Sequence, residues 1–256
     1  MIHRTAIIEE GAQIGSDVAI GAYSVIGPQA VIGDGCWIGP HVVIGGRTSI
    51  GSNCRIYQFA SIGETPQDKK YDGEDTAVEI GRENTIREYV TINRGTSDDV
   101  GVTRIGDDNW LMAYCHIAHD CQVGSHTTFA NGATLAGHVI VGDWVIFAGY
   151  SGAHQFCRIG AHAFLGMYGG VNLDVPAYVM VSGQPPRPRG INAEGLKRRG
   201  YNSAQIRNIR EAYRLIYRKG LPREEAVNEL RARAGEQPEL ELMIASIESS
   251  QRGLLR

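Results

Sequence analysis

His116, His119, Asp120, His138, His154 and Gln155 are the residues of this chain best suited to chemistry, and their spacing matters more than their number. His119, Gly137 and Gln155 are evenly spaced, eighteen positions apart, and so are Asp120 and His138. If the chain returns over itself at that interval, these become two adjacent vertical columns. His116 and His154 then fall within three positions of them. An imidazole above a backbone N–H is what acyl transfer to a hydroxyl needs: one group takes the proton and the other holds the oxyanion.

The elements that must position these residues are legible in the isoleucines. Ile2, Ile8, Ile14, Ile20, Ile26, Ile32, Ile38, Ile44, Ile50, Ile56 and Ile62 recur at a spacing of six, and glycine follows eight of them. Two residues before each, from Ile8 on, stands a small or β-branched residue, such as Ala12, Val18, Cys36 or Thr48. Neither the helical period of 3.6 nor the strand period of 2 makes a six-residue repeat. A solenoid does, because each hexapeptide is one short strand plus a corner and three complete a coil. Residues one coil apart then stack at about 4.8 Å.

Ile80, Ile86 and Ile92 keep the register of Ile62, so residues 64–79 read as a loop occupying two repeat slots. A second excursion, 94–103, shifts the register by one, and the series resumes from Ile105 to Val171. Both loops are candidate ligand contacts, since loops carry the variable function of a rigid scaffold. Relative to Ile117, Leu135 and Ala153, the histidine patch lies at corners and outer faces, solvated unless another subunit covers it. A competing zinc reading takes His116, His119 and His138 as three imidazoles with an open position, as in a γ-class carbonic anhydrase. It ranks second, because no fitting carboxylate and histidine spacing repeats across coils. His3, His41, His126 and His162 read as plain surface residues.

Residues 1–186 form the solenoid, and Gly183 to Gly190 reads as a linker. Residues 187–256 read as a helical module. Ser203 is placed as the cap of a helix through Ile206, Ile209, Tyr213 and Ile216, ended by Gly220; Pro222 opens a second, and a third follows Pro238. At roughly 65 residues the module needs docking to be stable. The net charge of −3 divides into −9 over 1–186 and +6 over 187–256, so an anionic partner is expected for the tail. The five cysteines all occupy the inward small-residue slot and read as reduced thiols in a cytosolic protein. No secretory or membrane-spanning run is present.

Four blocks carry a family resemblance over the whole chain: His116-Ile117-Ala118-His119-Asp120-Cys121, Ala133-Thr134-Leu135-Ala136-Gly137-His138, His154-Gln155-Phe156-Cys157, and Asn192 to Gly200. They resemble the acyl-carrier-protein:UDP-N-acetylglucosamine O-acyltransferases of lipid A biosynthesis. The resemblance implies a left-handed parallel β-helix followed by a small α-helical C-terminal domain, and a cytoplasmic homotrimer with active sites between subunits. It makes His119 the general base and the Gly137 N–H the oxyanion donor. Among the substrate-binding residues it implies His116 and Asp120, His138 and His154 for the acyl hydroxyl or sugar, and Gln155 for the phosphates. Gln67, Asp68 and Lys70 would touch the sugar and thioester arm, and Asn192, Glu194, Arg198 and Arg199 the uridine diphosphate, where two adjacent arginines suit a pyrophosphate.

Arg210 and Arg214, four apart on one helical face, would receive acyl carrier protein. The phosphopantetheine arrives on that partner, so no metal or bound cofactor is implied, and no nucleic acid. Met167 aligns where some members carry glycine, at the wall that measures acyl length. Its thioether predicts a shorter chain, such as 3-hydroxydecanoyl. Gln184-Pro185-Pro186-Arg187 departs from the Gly-Asn start of many members and is given no ligand role. The alternatives are an N-acyltransferase, which tends to add an N-terminal uridine-binding domain where this repeat starts at residue 2, and a non-catalytic solenoid, which would show threonine ladders and no histidine patch.

Overall fold

The computed structural model describes residues 1–256. Short parallel strands stack into three sheets of nine, eight and ten strands, the three faces of a left-handed β-helix. One coil advances the chain by eighteen positions: Ile8 pairs with Ile26 and Ile26 with Ile44. Farther along, Ile117 pairs with Leu135 and Leu135 with Ala153. Buried apolar positions stack into one continuous core, with Ile26, Ile44, Ile56, Ile86 and Ile92 all at 0 % exposure. All five cysteines are buried free thiols in that core.

The two excursions leave the core register intact. Ile80 pairs with Ile50, thirty positions back, so the first loop adds two hexapeptides. Ile105 pairs with Ile80, twenty-five back, so the second adds seven positions. Strands Ser61–Glu64 and Ala77–Ile80 bound the first loop, and Thr91–Asn93 and Val102–Ile105 the second, which makes each slightly shorter than the sequence suggests.

Each coil turns three corners, and many corner residues adopt the left-handed region, including Asp120 (φ 59), His138 (φ 62) and Phe156 (φ 64). That backbone costs a non-glycine residue about 1–2 kcal/mol, so here it is held by the coils above and below. Its return is alignment. Corner rings stack from coil to coil, as His138 does on Phe156 with centroids 4.4 Å apart.

Residues 183–190 are not a linker. Val179–Ser182 pairs antiparallel with Arg187–Ile191, which closes the ten-stranded sheet. Pro185 and Pro186 sit at the tip of this hairpin, where their missing N–H groups cost no ladder bond. Four α-helices follow: α1 (Ala193–Arg198), α2 (Ser203–Tyr217), α3 (Arg223–Ala234) and α4 (Glu241–Glu248). The cap of α2 is Asn202 rather than Ser203, because Asn202 and Gln205 form a reciprocal capping box. One hydrophobic cluster of 60 residues joins the helices to the last coils. Asp174 pins the C-terminal segment there, accepting hydrogen bonds from Ser250 Oγ (2.7 Å) and the Gln251 N–H (2.9 Å).

Candidate active site

His119, Asp120 and His138 lie at the corner between the first and second sheets, after His116–Ile117 and Thr134–Leu135 and before Gln122–Val123 and Ile140–Val141. His119 Nδ1 is 3.0 Å from Asp120 Oδ2. An ionised carboxylate only accepts, so Nδ1 carries the proton and Nε2 of neutral His119 is left with its lone pair. Asp120 is 1 % exposed. Burial works against its ionisation, but hydrogen bonds from His119 and from the Thr96 hydroxyl (2.6 Å) and N–H outweigh it and hold the carboxyl below its usual range. Burial, and secondarily the neighbouring His119, lowers the pKa of His116, whose Nδ1 meets the Thr91 hydroxyl at 2.7 Å.

Gly137 lies one coil above His119. A Cβ built on it would stand 2.5 Å from His119 Cε1 and 2.6 Å from Nε2, so only glycine lets the ring lie there. The Gly137 N–H donates to no backbone carbonyl, whereas the N–H groups on either side are engaged: Ala136 to Ala153 O and His138 to His119 O. A free donor and a free imidazole nitrogen therefore adjoin, which is the pairing acyl transfer needs. Sheet register produces this contact, as the one-coil spacing of the two residues implies.

The histidines are less wet than the sequence suggests. The side chains of His119 and His138 are 12 % and 11 % exposed within one chain, because the second loop folds over them. The adjoining cleft, of about 600 Å³, is lined by Asp68, Lys70, His119, Asp120, His138 and Gln155 among others. Gln67 is exposed outside that lining, and so is His154, whose Nδ1 meets the Gln155 carbonyl at 3.3 Å. His119, Asp120 and His138 place ligand atoms within 4.8 Å of one another, but His116 is outside the group, so the trio of imidazoles expected for zinc is not assembled.

The other expected residues sit at different corners. Arg199 donates to His162 Nδ1 (3.0 Å) and lies over the Trp144 ring (5.1 Å), at the corner between the second and third sheets. His162 is thus no surface histidine: it is 6 % exposed, stacked on Tyr178 and covered by the chain leading out of α1. Asn192 caps α1 and donates to the His162 carbonyl, so its side-chain amide is already engaged. Glu194 pairs with Lys197, and Arg198 is exposed. Met167, 60 % exposed, projects from the third corner, between Phe164–Leu165 and Gly170–Val171. Arg210 and Arg214 are exposed on α2 without ion pairs, in a groove with Arg189 and Arg218. One chain therefore gathers His119, Gly137, Asp68, Lys70, Asp120, His138 and Gln155 about one corner, and leaves Arg199, Met167 and the α2 arginines elsewhere.

Sequence reasoning missed Thr96, Asp99 and Phe156. Phe156 was findable, since it stands one coil after His138. Thr96 and Asp99 lie in an insertion with no period to place them.

The C-terminal 174–255 match the family described as UDP N-acetylglucosamine O-acyltransferase, domain 2, and residues 29–64 and 103–137 match the bacterial transferase hexapeptide. The acyl-[acyl-carrier-protein]–UDP-N-acetylglucosamine O-acyltransferase of Xylella fastidiosa is 57 % identical over 257 residues, covering 100 % of this chain and 98 % of that one. The counterpart from Herminiimonas arsenicoxydans is 56 % identical over 260 residues, with 100 % and 99 % covered. Among solved structures, LpxA of Acinetobacter baumannii is 50 % identical with a TM-score of 0.97, covering 100 % of this chain and 99 % of that one. Full-length identity at this level, on top of the dyad beside Gly137, makes the chain a member of the acyl-[acyl-carrier-protein]–UDP-N-acetylglucosamine O-acyltransferase family.

Proposed function

We propose that the protein transfers an (R)-3-hydroxyacyl chain from acyl carrier protein to the 3-hydroxyl of UDP-N-acetylglucosamine, the first step of lipid A biosynthesis. The observation that carries this reading is the His119 ring lying against Gly137, with Nδ1 held by buried Asp120 and the Gly137 N–H free. His119 Nε2 takes the hydroxyl proton as the sugar oxygen attacks the thioester carbonyl. The Gly137 N–H receives the oxyanion. Collapse re-forms the carbonyl and breaks the C–S bond, and the imidazolium returns its proton to the departing phosphopantetheine sulfur. Asp120 stays ionised throughout and stabilises the imidazolium. These steps need no resident metal or cofactor.

The placement of Arg199 and Met167 at corners away from the histidine cleft supports a homotrimer in which one subunit's histidine corner faces a neighbour's groups. Arg198 and Arg199 then hold the diphosphate, and Met167 closes the acyl groove at a 3-hydroxydecanoyl-like length. The unpaired Arg210 and Arg214 suit an acidic carrier protein. No helix is long and apolar enough to cross a membrane, and the reading places the enzyme in the cytoplasm.

Mass spectrometry of products from UDP-N-acetylglucosamine and a ladder of 3-hydroxyacyl carrier proteins tests the reading. The expected product is a monoacylated UDP-sugar whose ester is cleaved by mild base. An alkali-stable amide, or no acylation with any donor, would overturn it.

A further inference from the structure

His138 has a carboxylate partner that the acyl-transfer scheme does not use. Its Nδ1 lies 2.8 Å from Asp99 Oδ2 and 3.9 Å from Asp120 Oδ2, so Asp99 takes the hydrogen bond and Asp120 belongs to His119. Asp99 is 42 % exposed and reaches in from the second loop, the same excursion whose Thr96 clamps Asp120. The ring plane of His138 is fixed independently, stacked on Phe156 (4.4 Å) and edge-on to His119 (4.9 Å, 89°). Two carboxylate–imidazole pairs therefore stand side by side, both wired by one loop. An ionised carboxylate can only accept, so Asp99 holds the proton of neutral His138 on Nδ1 and leaves a lone pair on Nε2.

We propose that Asp99 is a positioning residue that locks His138 as the Nδ1–H tautomer, so that its Nε2 accepts a hydrogen bond from a substrate hydroxyl beside the reacting one. Without Asp99 nothing else within hydrogen-bonding distance holds the proton on Nδ1, since Asp120 is too far away. With the proton on Nε2 the imidazole becomes a donor there, and a hydroxyl that must donate loses its partner. A site built to accept from a hydroxyl discriminates strongly against a ligand lacking it. Two hydroxyls fit the description, one on the sugar and one on carbon 3 of the acyl chain.

The test uses the full-length protein labelled with 15N-histidine, as wild type, Asp99→Ala and Asp99→Asn, with the His138 signals assigned from His138→Gln. Long-range nitrogen–proton spectra should show His138 as Nδ1–H in wild type and Asp99→Asn, whose side-chain oxygen still accepts. Asp99→Ala should shift it to Nε2–H. Asp99→Ala should lower kcat/KM about tenfold, Asp99→Asn should restore most of that, and Asp99→Ala should add no loss in a His138→Ala background. A rise confined to the KM for UDP-N-acetylglucosamine assigns the hydroxyl to the sugar. Loss of preference for 3-hydroxyacyl over unsubstituted acyl carrier protein assigns it to the chain. His138 found as Nε2–H in wild type, or unchanged kinetics in Asp99→Ala, overturns the inference. The kinetic arm rests on the proposed acyl transfer, but the tautomer arm does not, so a failure of that reading would be seen separately as absent wild-type turnover.

Discussion

Replacing Gly137 by alanine probes the contact on which the site depends. The added methyl would begin 2.5 Å from His119 Cε1, 2.6 Å from Nε2 and 3.1 Å from Nδ1, where ordinary contact starts at 3.4 Å. Opening the first gap to that distance moves the ring by about 0.9 Å. The ring cannot simply slide away, because Asp120 holds Nδ1 at 3.0 Å and His138 stands edge-on at 4.9 Å. Gly137 is outside the left-handed region, so alanine brings no backbone strain, and the N–H proposed to receive the oxyanion is kept. A misplacement near 1 Å costs on the order of 10²-fold in rate, about 2.7 kcal/mol of barrier. The assay is steady-state kcat and KM with thermal melting alongside. We expect kcat to fall by about 10²-fold with the KM for the UDP-sugar little changed. Gly235→Ala, where a Cβ meets nothing within 4 Å, is the control and should match wild type. A Gly137→Ala enzyme with near-normal kcat would refute the idea that the His119 ring works from this position.

Two further outcomes follow from the other corners. Burial, and then the Arg199 charge, pushes the His162 pKa from 6.5 down to about 4, so as pH falls the unfolded chain takes up the proton first. The stability at stake is complete above pH 6.5 and is lost as pH falls toward 4, at most about 3 kcal/mol; chemical denaturation of His162→Phe should show a flatter pH dependence in that window, and an unchanged slope would contradict it. Met167→Gly should extend acceptance to longer 3-hydroxyacyl chains, each extra buried CH₂ being worth about 0.8 kcal/mol; an unchanged product length distribution would remove Met167 as the measure of the chain.

How much of this was legible in the sequence follows from what each feature depends on. The solenoid and the His119–Gly137 contact depend only on a period, and the isoleucines fix it through two insertions because each restores the core register at Ile80 and Ile105. Asp120 as partner of His119 rather than His138 depended on side-chain direction at a left-handed corner, which spacing leaves open. Thr96 and Asp99 act from an aperiodic loop, so nothing in the pattern aimed them. His162 looked solvated because its cover comes from residues nearly forty positions later, through Arg199 and Tyr201. The 179–191 hairpin was hidden by prolines that usually mark a break but here occupy the tip and an edge strand.

The proposed reaction depends most directly on His119 as the base. Its test is the single-turnover rate of His119→Ala, measured on protein whose melting temperature and assembly mass match wild type. The rate should fall by about 10²–10⁴-fold, the usual contribution of a positioned base. A rate within a few-fold of wild type would mean that the proton leaves the sugar hydroxyl by some other route.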